Sequence, residues 1–220
     1  MIFLLSIDPN TNTERDNYKL LIGSIIPRPI AFVTSLSEDG VVNAAPFSYF
    51  NIVSSNPPMV SVSFQRQKGT LKDSAKNIKE QKEFVVHIVD ENIVNQVNET
   101  AANLQPDESE IERTNLSTIS SDKISVPGIE ESKVRFECVL EHGVELGGDN
   151  EPGCDLLIGK IVQFHIAKDI YYDGKIDPRK LNAVSRLAGH DYATIGDIFT
   201  IKRPDLINFE MKGDCYEAYF

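Results

Sequence analysis

From Pro27 to Phe64 the chain reads PRPIAFVTSLSEDGVVNAAPFSYFNIVSSNPPMVSVSF, a stretch that commits it to antiparallel strands. Ile30 to Leu36 is dense in β-branched and aromatic residues, and Ser37-Glu38-Asp39-Gly40 supplies turn chemistry. Val41 to Ala45 then returns as the second arm of a hairpin. After the break at Pro57-Pro58, Val60, Val62 and Phe64 alternate with Ser61 and Ser63, the period-two pattern of a half-buried strand. Between these strands lies Ala45-Pro46-Phe47-Ser48-Tyr49-Phe50-Asn51, where small and hydroxyl-bearing residues interleave with aromatics. Such a segment presents backbone N–H groups beside a flat apolar wall, which a planar phosphorylated molecule would need.

The rest of the chain extends the same architecture. Glu14 to Ile22 predicts a short lead-in helix behind an arm of residues 1–13. Gly69 to Gln81 predicts a helix with Leu71, Ala75 and Ile78 on one face. Glu83 to Val89 reads as a strand, and Asn92 to Leu104 as a second helix carrying Ile93, Val97, Ala101 and Leu104 on one side. Gln105 to Ser125 is acidic and polar with Pro106 as a breaker, which predicts a loop with a short helix inside. Strand patterns return at Ser132 to Leu146 and Leu156 to Ala167, joined through Gly147 to Gly153 as a long hairpin. Ile170 to Asp173 predicts a further short strand, the segment from Asp177 is irregular, and Ile195 to Arg203 predicts a last strand. The expected fold class is mainly β, an antiparallel barrel with a few covering helices. One domain is expected over residues 1–203, with a C-terminal tail over 204–220. A doubly wound sheet would need a strand–helix alternation that this chain lacks.

Charge and cysteine usage narrow the partners. A net charge of −11 argues against nucleic acid or an anionic membrane as the main partner, since both need a basic footprint. The apolar run Met1 to Leu5 is too short for a signal segment or a membrane span, so a cytoplasmic protein is expected. Cys138, Cys154 and Cys215 are widely spaced without a CxxC pair, which predicts reduced thiols. No histidine pair with a carboxylate has ligand spacing, so no metal site is expected. Neither a GxGxxG after a strand nor a GxSxG elbow is present, which leaves Rossmann and serine-hydrolase readings unsupported.

Three clusters carry candidate chemistry. Lys68, Thr70, Lys72 and Ser74 gather at the start of the helix predicted after Phe64. A helix N-terminus with added ammonium and hydroxyl donors suits a phosphate, although a solvated first turn capped by a hydroxyl has the same composition. Arg28, held extended between two prolines, could bind a phosphate or carboxylate bidentately, or serve only as a surface residue at a strand entry. Arg186 to Tyr192 combines Gly189 with the donors His190 and Tyr192; a lone surface histidine is the plainer reading of His190.

The Pro27–Phe64 block, Lys72-Asp73-Ser74-Ala75-Lys76-Asn77-Ile78, Glu83 to Ile88 and Arg186-Leu187-Ala188-Gly189-His190-Asp191-Tyr192-Ala193 together resemble the flavin reductase-like family, the FMN-binding split-barrel proteins that include flavoredoxin. The likeness spans roughly Asp16 to Asp197. It implies a split β-barrel, a bound FMN and a homodimer. It places Ala45, Pro46, Phe47 and Ser48 along the flavin ring, with polar contacts from Ser63, Phe64 and Gln65. Phe47, Tyr49 and Phe50 could equally be core or interface aromatics. The resemblance assigns Lys72 and Ser74, with Lys68 beside them, to the phosphate, and Arg28, Asn77, Arg186 and Tyr192 to the cofactor as well. His190 becomes a candidate contact to flavin or nicotinamide, while Ala188-Gly189 stands where relatives frequently resemble Gly-Gly. The implied activity is hydride transfer from NADH or NADPH to flavin N5, with no side chain acting as catalytic acid or base. The alternatives are an FMN-containing electron carrier working with a redox partner protein, or a barrel that binds a small ligand without turnover.

Overall fold

The computed structural model describes residues 2–67, 69–101, 109–148 and 150–203. Seven strands form one antiparallel sheet: β1 (Ala31–Leu36), β2 (Val42–Phe47), β3 (Phe50–Ser55), β4 (Pro58–Gln65), β5 (Glu83–Ile88), β6 (Val134–Leu146) and β7 (Cys154–Ile166). Their order across the sheet is β2-β1-β5-β6-β7-β4-β3. The two edge strands, β2 and β3, are consecutive in the chain and joined by only Ser48 and Tyr49. That short link carries the chain from one sheet edge to the other and curls the sheet: Phe47 of β2 stands edge-on to Phe64 of β4 at 4.4 Å, while the Ser63 N–H donates to the Tyr49 carbonyl at 2.8 Å as a continuation of the β3–β4 ladder. The result is a barrel closed at this corner and split elsewhere.

β1 explains why its sequence is apolar without a break, since it is buried on both faces. Ala31 and Val33 face a barrel interior filled by Val62, Phe64, Phe84 and Leu157. Phe32 points the other way, into a second core with Ala44, Ile93, Val97, Ile129 and Val184. Helix α2 (Asp73–Gln81) sends Ala75 and Ile78 into the barrel interior. Helix α3 (Val94–Glu99) sends Val97 into the outer core, and α1 (Glu14–Ser24) stands before β1 with Ile22 buried. A short helix α4 (Pro178–Leu181), N-capped by Asp177, precedes the 185–193 segment.

Three expectations require correction. β3 fills Phe50–Ser55, between the aromatic stretch and the Pro57-Pro58 break, where no strand is expected from the sequence; Asn51, Ile52 and Val53 are exposed, so no buried face imposes an alternating pattern. No strand forms over 195–203; the short pairing nearby is between Ser185–Arg186 and Tyr192–Ala193. The second helix covers only Val94–Glu99, and part of the expected span, residues 102–104, lies outside the described residues with Lys68 and the expected tail. The expected short helix in the acidic loop appears as a 3₁₀ turn at Glu110–Arg113. Cys138 and Cys154 are free thiols, and burial pushes the Cys138 thiol up.

Candidate functional site

β2 carries a polar or ligand-lining feature at each of its ends. At the Asn43 end it meets the start of α2, where Asn43 Nδ2 donates to the buried Ser74 Oγ at 2.7 Å. One turn further on, Asn77 Nδ2 donates to Ser35 Oγ at 3.3 Å. The N-cap position is Lys72, whose side chain makes no capping hydrogen bond, so among the described residues the first N–H groups of α2 have no side-chain acceptor. Lys72 itself is half-buried beside them. A helix start of this kind, with an ammonium and a hydroxyl alongside, has the donor set that a phosphate monoester takes.

At the other end, Pro46 and Phe47 of β2 and the linking Ser48 and Tyr49 form one wall of a cavity of about 240 Å³. Its other walls are Tyr18 and Ile22 of α1, Val97 and Asn98 of α3, and the segment from Arg186 to Tyr192. Burial, followed by the neighbouring Tyr18, pushes the Tyr49 phenol up, which keeps it a neutral donor around neutral pH. Between Asn43 and Phe47 the strand covers four residues, roughly 13 Å at ~3.3 Å each.

Arg28 sits 6% exposed at the cavity floor, and its donors are already engaged. Nη1 donates to the Ile22 and Ile25 carbonyls, both at 2.7 Å, and Nη2 to the Leu187 carbonyl at 2.8 Å. Nε lies 3.4 Å from Ser48 Oγ. The guanidinium therefore caps the end of α1 and ties it to the late loop. That loop is a tight turn: Leu187 N–H donates to Asp191 O, Asp191 N–H to Ala188 O, and Gly189 takes φ +59°. The single glycine at 189 serves the turn with alanine at 188. Arg186 stacks 4.4 Å over the Tyr192 ring and donates to the Gly189 carbonyl, while Tyr192 OH donates to Asn98 Oδ1 at 2.9 Å. His190 is exposed at the turn.

Of the sequence candidates, Arg28, Pro46, Phe47, Ser48, Arg186 and Tyr192 thus line one cavity. Lys72, Ser74 and Asn77 gather at α2, the far end of the same strand. Phe64 is 1% exposed in the barrel core, Gln65 Nε2 donates to Ser63 Oγ at 3.2 Å, and Ala45 is half-buried on β2 between the two places. Asn43, Tyr18 and Asn98 were not legible as site residues. Nothing local marks them, because their partners lie on other elements.

The unpaired edge of β2 is guarded by side chains. Ala44 N–H donates to Glu110 Oε2 at 3.0 Å, Ser109 Oγ donates to the Val42 carbonyl at 2.6 Å, and Pro46 has no N–H to leave open. Burial pushes the Glu110 carboxyl up. Elsewhere Asp122, Glu137 and His165 bring ligand-type atoms within 4.8 Å of one another. Both Glu137 oxygens accept from the Asp122 and Lys123 N–H groups at 2.7 Å, and His165 Nε2 lies 2.6 Å from Oε1, an arrangement that pins the 122–126 loop to β6.

Comparison with known proteins adds relatives to this geometry. The profile described as "flavin reductase like domain" matches residues 22–179. An uncharacterized protein of Bacillus subtilis is 53% identical over 197 residues, covering 87% of this chain and 95% of its own length. The crystal structure of nitrilotriacetate monooxygenase component B from Bacillus cereus superposes with a TM-score of 0.90 at 56% identity, covering 91% of this chain and all of that one. The 2-nitrobenzoate 2-nitroreductase of Pseudomonas fluorescens superposes with a TM-score of 0.82 at 29% identity, covering 92% of this chain and 98% of that one.

Proposed function

Because the chain belongs to the flavin reductase-like family, we propose that it is an FMN-binding oxidoreductase that takes hydride from NADH or NADPH. The observation that carries this reading is the division of β2. A phosphate-type donor set stands at its Asn43 end and an aromatic-walled cavity at its Phe47 end, a spacing suited to a flat ring joined to a phosphate by a polyol chain. Lys72, Ser74 and the first N–H groups of α2 hold the phosphate, and Asn77 supports that turn from behind. Ala45 to Ser48 run along the ring, with the small Ala45 and Ser48 allowing close approach and Pro46 and Phe47 giving an apolar wall. Ser63 and Gln65 supply polar contacts from β4.

When bound, the flavin supplies the two-electron chemistry, accepting hydride and passing electrons to an acceptor. The protein's part is to orient and to exclude water. Arg28 fixes the cavity floor, and the Arg186–Tyr192 stack walls the side where a nicotinamide would enter, with His190 exposed at its rim. In this reading no side chain is required as a general acid or base. The likeness to a monooxygenase component supports an acceptor outside this chain.

The assembly is a homodimer, and the setting cytoplasmic. Support for the dimer comes from the apolar surface left open: Phe3 and Leu4 are about nine-tenths exposed, and Leu21 and Ile25 of the α1 region are more than half exposed. Among the described residues, no helix is long and apolar enough to cross a membrane.

Anaerobic titration of the purified yellow protein with NADH and with NADPH tests the reading. Bleaching of the flavin bands by either nucleotide is expected. A yellow protein that neither nucleotide bleaches is a carrier rather than a reductase, and a colourless one that takes up no FMN ends the flavin assignment.

A further inference from the structure

The turn that leads into α2 is fastened at two points to one buried carboxylate. Asp155, near the start of β7, has no solvent exposure. It receives both prongs of the Arg66 guanidinium, Nε to Oδ2 at 2.7 Å and Nη2 to Oδ1 at 2.9 Å. Lys79 Nζ donates to the same Oδ1 at 2.5 Å. Glu145, the register partner of Asp155 on β6, closes the cluster with Lys79 Nζ at 2.6 Å and Arg66 Nη2 at 3.0 Å. Two cations and two anions balance, so neither Arg66 nor Lys79 has charge to spare for a ligand.

The positions of the two cations matter more than their number. Arg66 is the first residue after β4, and Lys79 lies in the last turn of α2. Thr70, Lys72 and Ser74 lie between them. Backbone bonds reinforce the first anchor: Arg66 N–H donates to the Gly153 carbonyl at 2.8 Å, and Gln67 and Thr70 bridge each other. The segment bearing the phosphate donors is therefore clamped before and after them onto a single point of the barrel wall. An apolar contact could bury the same wall; a bidentate ion pair adds direction, because the guanidinium fork fits a carboxylate in few orientations.

We propose that Asp155 is a positioning residue for the flavin phosphate: through Arg66 and Lys79 it fixes where the first turn of α2 stands relative to Asn43, so that Lys72, Ser74 and the free N–H groups converge on one anion. The proposal rests on the phosphate assignment made above. Asp155 itself touches no ligand. Hydrogen bonding from Arg66, opposed by burial and aided by Lys79, holds its carboxyl below the usual carboxylate range, so the clamp stays charged at neutral pH.

The test is a comparison of FMN with riboflavin, which differ only by the phosphate, titrated by fluorescence into flavin-free full-length protein. Wild type, Asp155→Asn, Arg66→Lys and the double variant Lys72→Ala with Ser74→Ala are compared at a temperature where circular dichroism shows each folded. Asp155→Asn is expected to weaken FMN about tenfold or more while riboflavin changes little, the loss of roughly one charged hydrogen bond at the phosphate. Arg66→Lys, which keeps the charge but loses the fork, should shift the FMN-to-riboflavin ratio in the same direction, and decides the matter if Asp155→Asn does not fold. Equal losses of both ligands in the clamp variants, or an unchanged ratio there while the Lys72/Ser74 variant loses its FMN preference, overturn the positioning role and leave the phosphate assignment standing. An unchanged ratio in the Lys72/Ser74 variant overturns the phosphate assignment itself and takes this proposal with it.

Discussion

His87 shows how strongly one buried side chain can set the behaviour of this fold. It is wholly buried on β5, with Nδ1 2.8 Å from the Phe32 carbonyl and Nε2 accepting the Ile129 N–H at 2.9 Å. A carbonyl on one nitrogen and an N–H on the other are both satisfied only by the neutral ring protonated at Nδ1. Burial, resisted by the Phe32 bond, pushes the imidazole down to about 3. The unfolded chain protonates this ring near pH ~6.5, so between there and about 3 it binds more protons than the folded chain. Stability is then expected to fall as the pH drops through that window, by up to about 1.4 kcal/mol per pH unit from this residue, and to be insensitive to it above. Urea midpoints between pH 7.5 and 4.5 check this, and His87→Gln, which keeps a donor and an acceptor, should flatten the slope. An identical slope in that variant would place the acid sensitivity elsewhere. Arg28 makes a different point at the same scale. The Pro-Arg-Pro sequence announced a residue of fixed direction, yet its partners at Ile22, Ile25 and Leu187 are carbonyls. Backbone acceptors carry no signature in the sequence, so that use of Arg28 was not legible.

At the scale of elements, the strands that bury one face or both were legible, and those that bury neither were not. β1 and β4 announce themselves through apolar runs or strict alternation, whereas β3 is defined by its pairing with β4 and by the Ser48–Tyr49 link. The long β6–β7 hairpin was legible too, but not its irregularity. Its register shifts between Ile158 and Gly159, and there the barrel wall is thinned to admit a ring. A Cβ on Gly159 would lie 2.8 Å from Phe84 Cε1 and 3.1 Å from Cys138 Cβ. Phe84 is 1% exposed and cannot swing out. Gly159→Ala is therefore expected to cost about 1–3 kcal/mol through overpacking. Chemical denaturation measures the cost, and adding Phe84→Leu should recover part of it. Undiminished stability in the single variant would mean that β7 shifts freely here. The start of α2 lies between these cases: its amphipathic spacing and donor-rich first turn were readable, while the Asn43–Ser74 bond and the Asp155 clamp join segments tens of residues apart.

For the whole molecule, the surface argues for association. Ile2 to Leu5, Leu20 and Leu21 on α1, Ile25 and Ile26, and Phe199 and Ile201 all stand open to solvent, and large apolar side chains left exposed together are what an association surface covers. Sedimentation at micromolar concentration is expected to give a dimer, and Leu21→Glu to shift it toward monomer with unchanged circular dichroism. A monomeric wild type would remove the second copy from the proposal. By itself the sequence determined the class of fold, because alternation, turn residues and helical spacing are local consequences of which faces must be buried. It also marked the donor-rich start of α2 and the aromatic link after β2, since helix ends and turns impose composition over a few residues. Only the tertiary structure decided that one strand carries both, that Arg28 and Asp155 are occupied in holding loops, and that the barrel closes at Ser48–Tyr49. Those facts depend on contacts between segments distant in the chain, and the side-chain geometry that selects such contacts exists only once the sheet has curled.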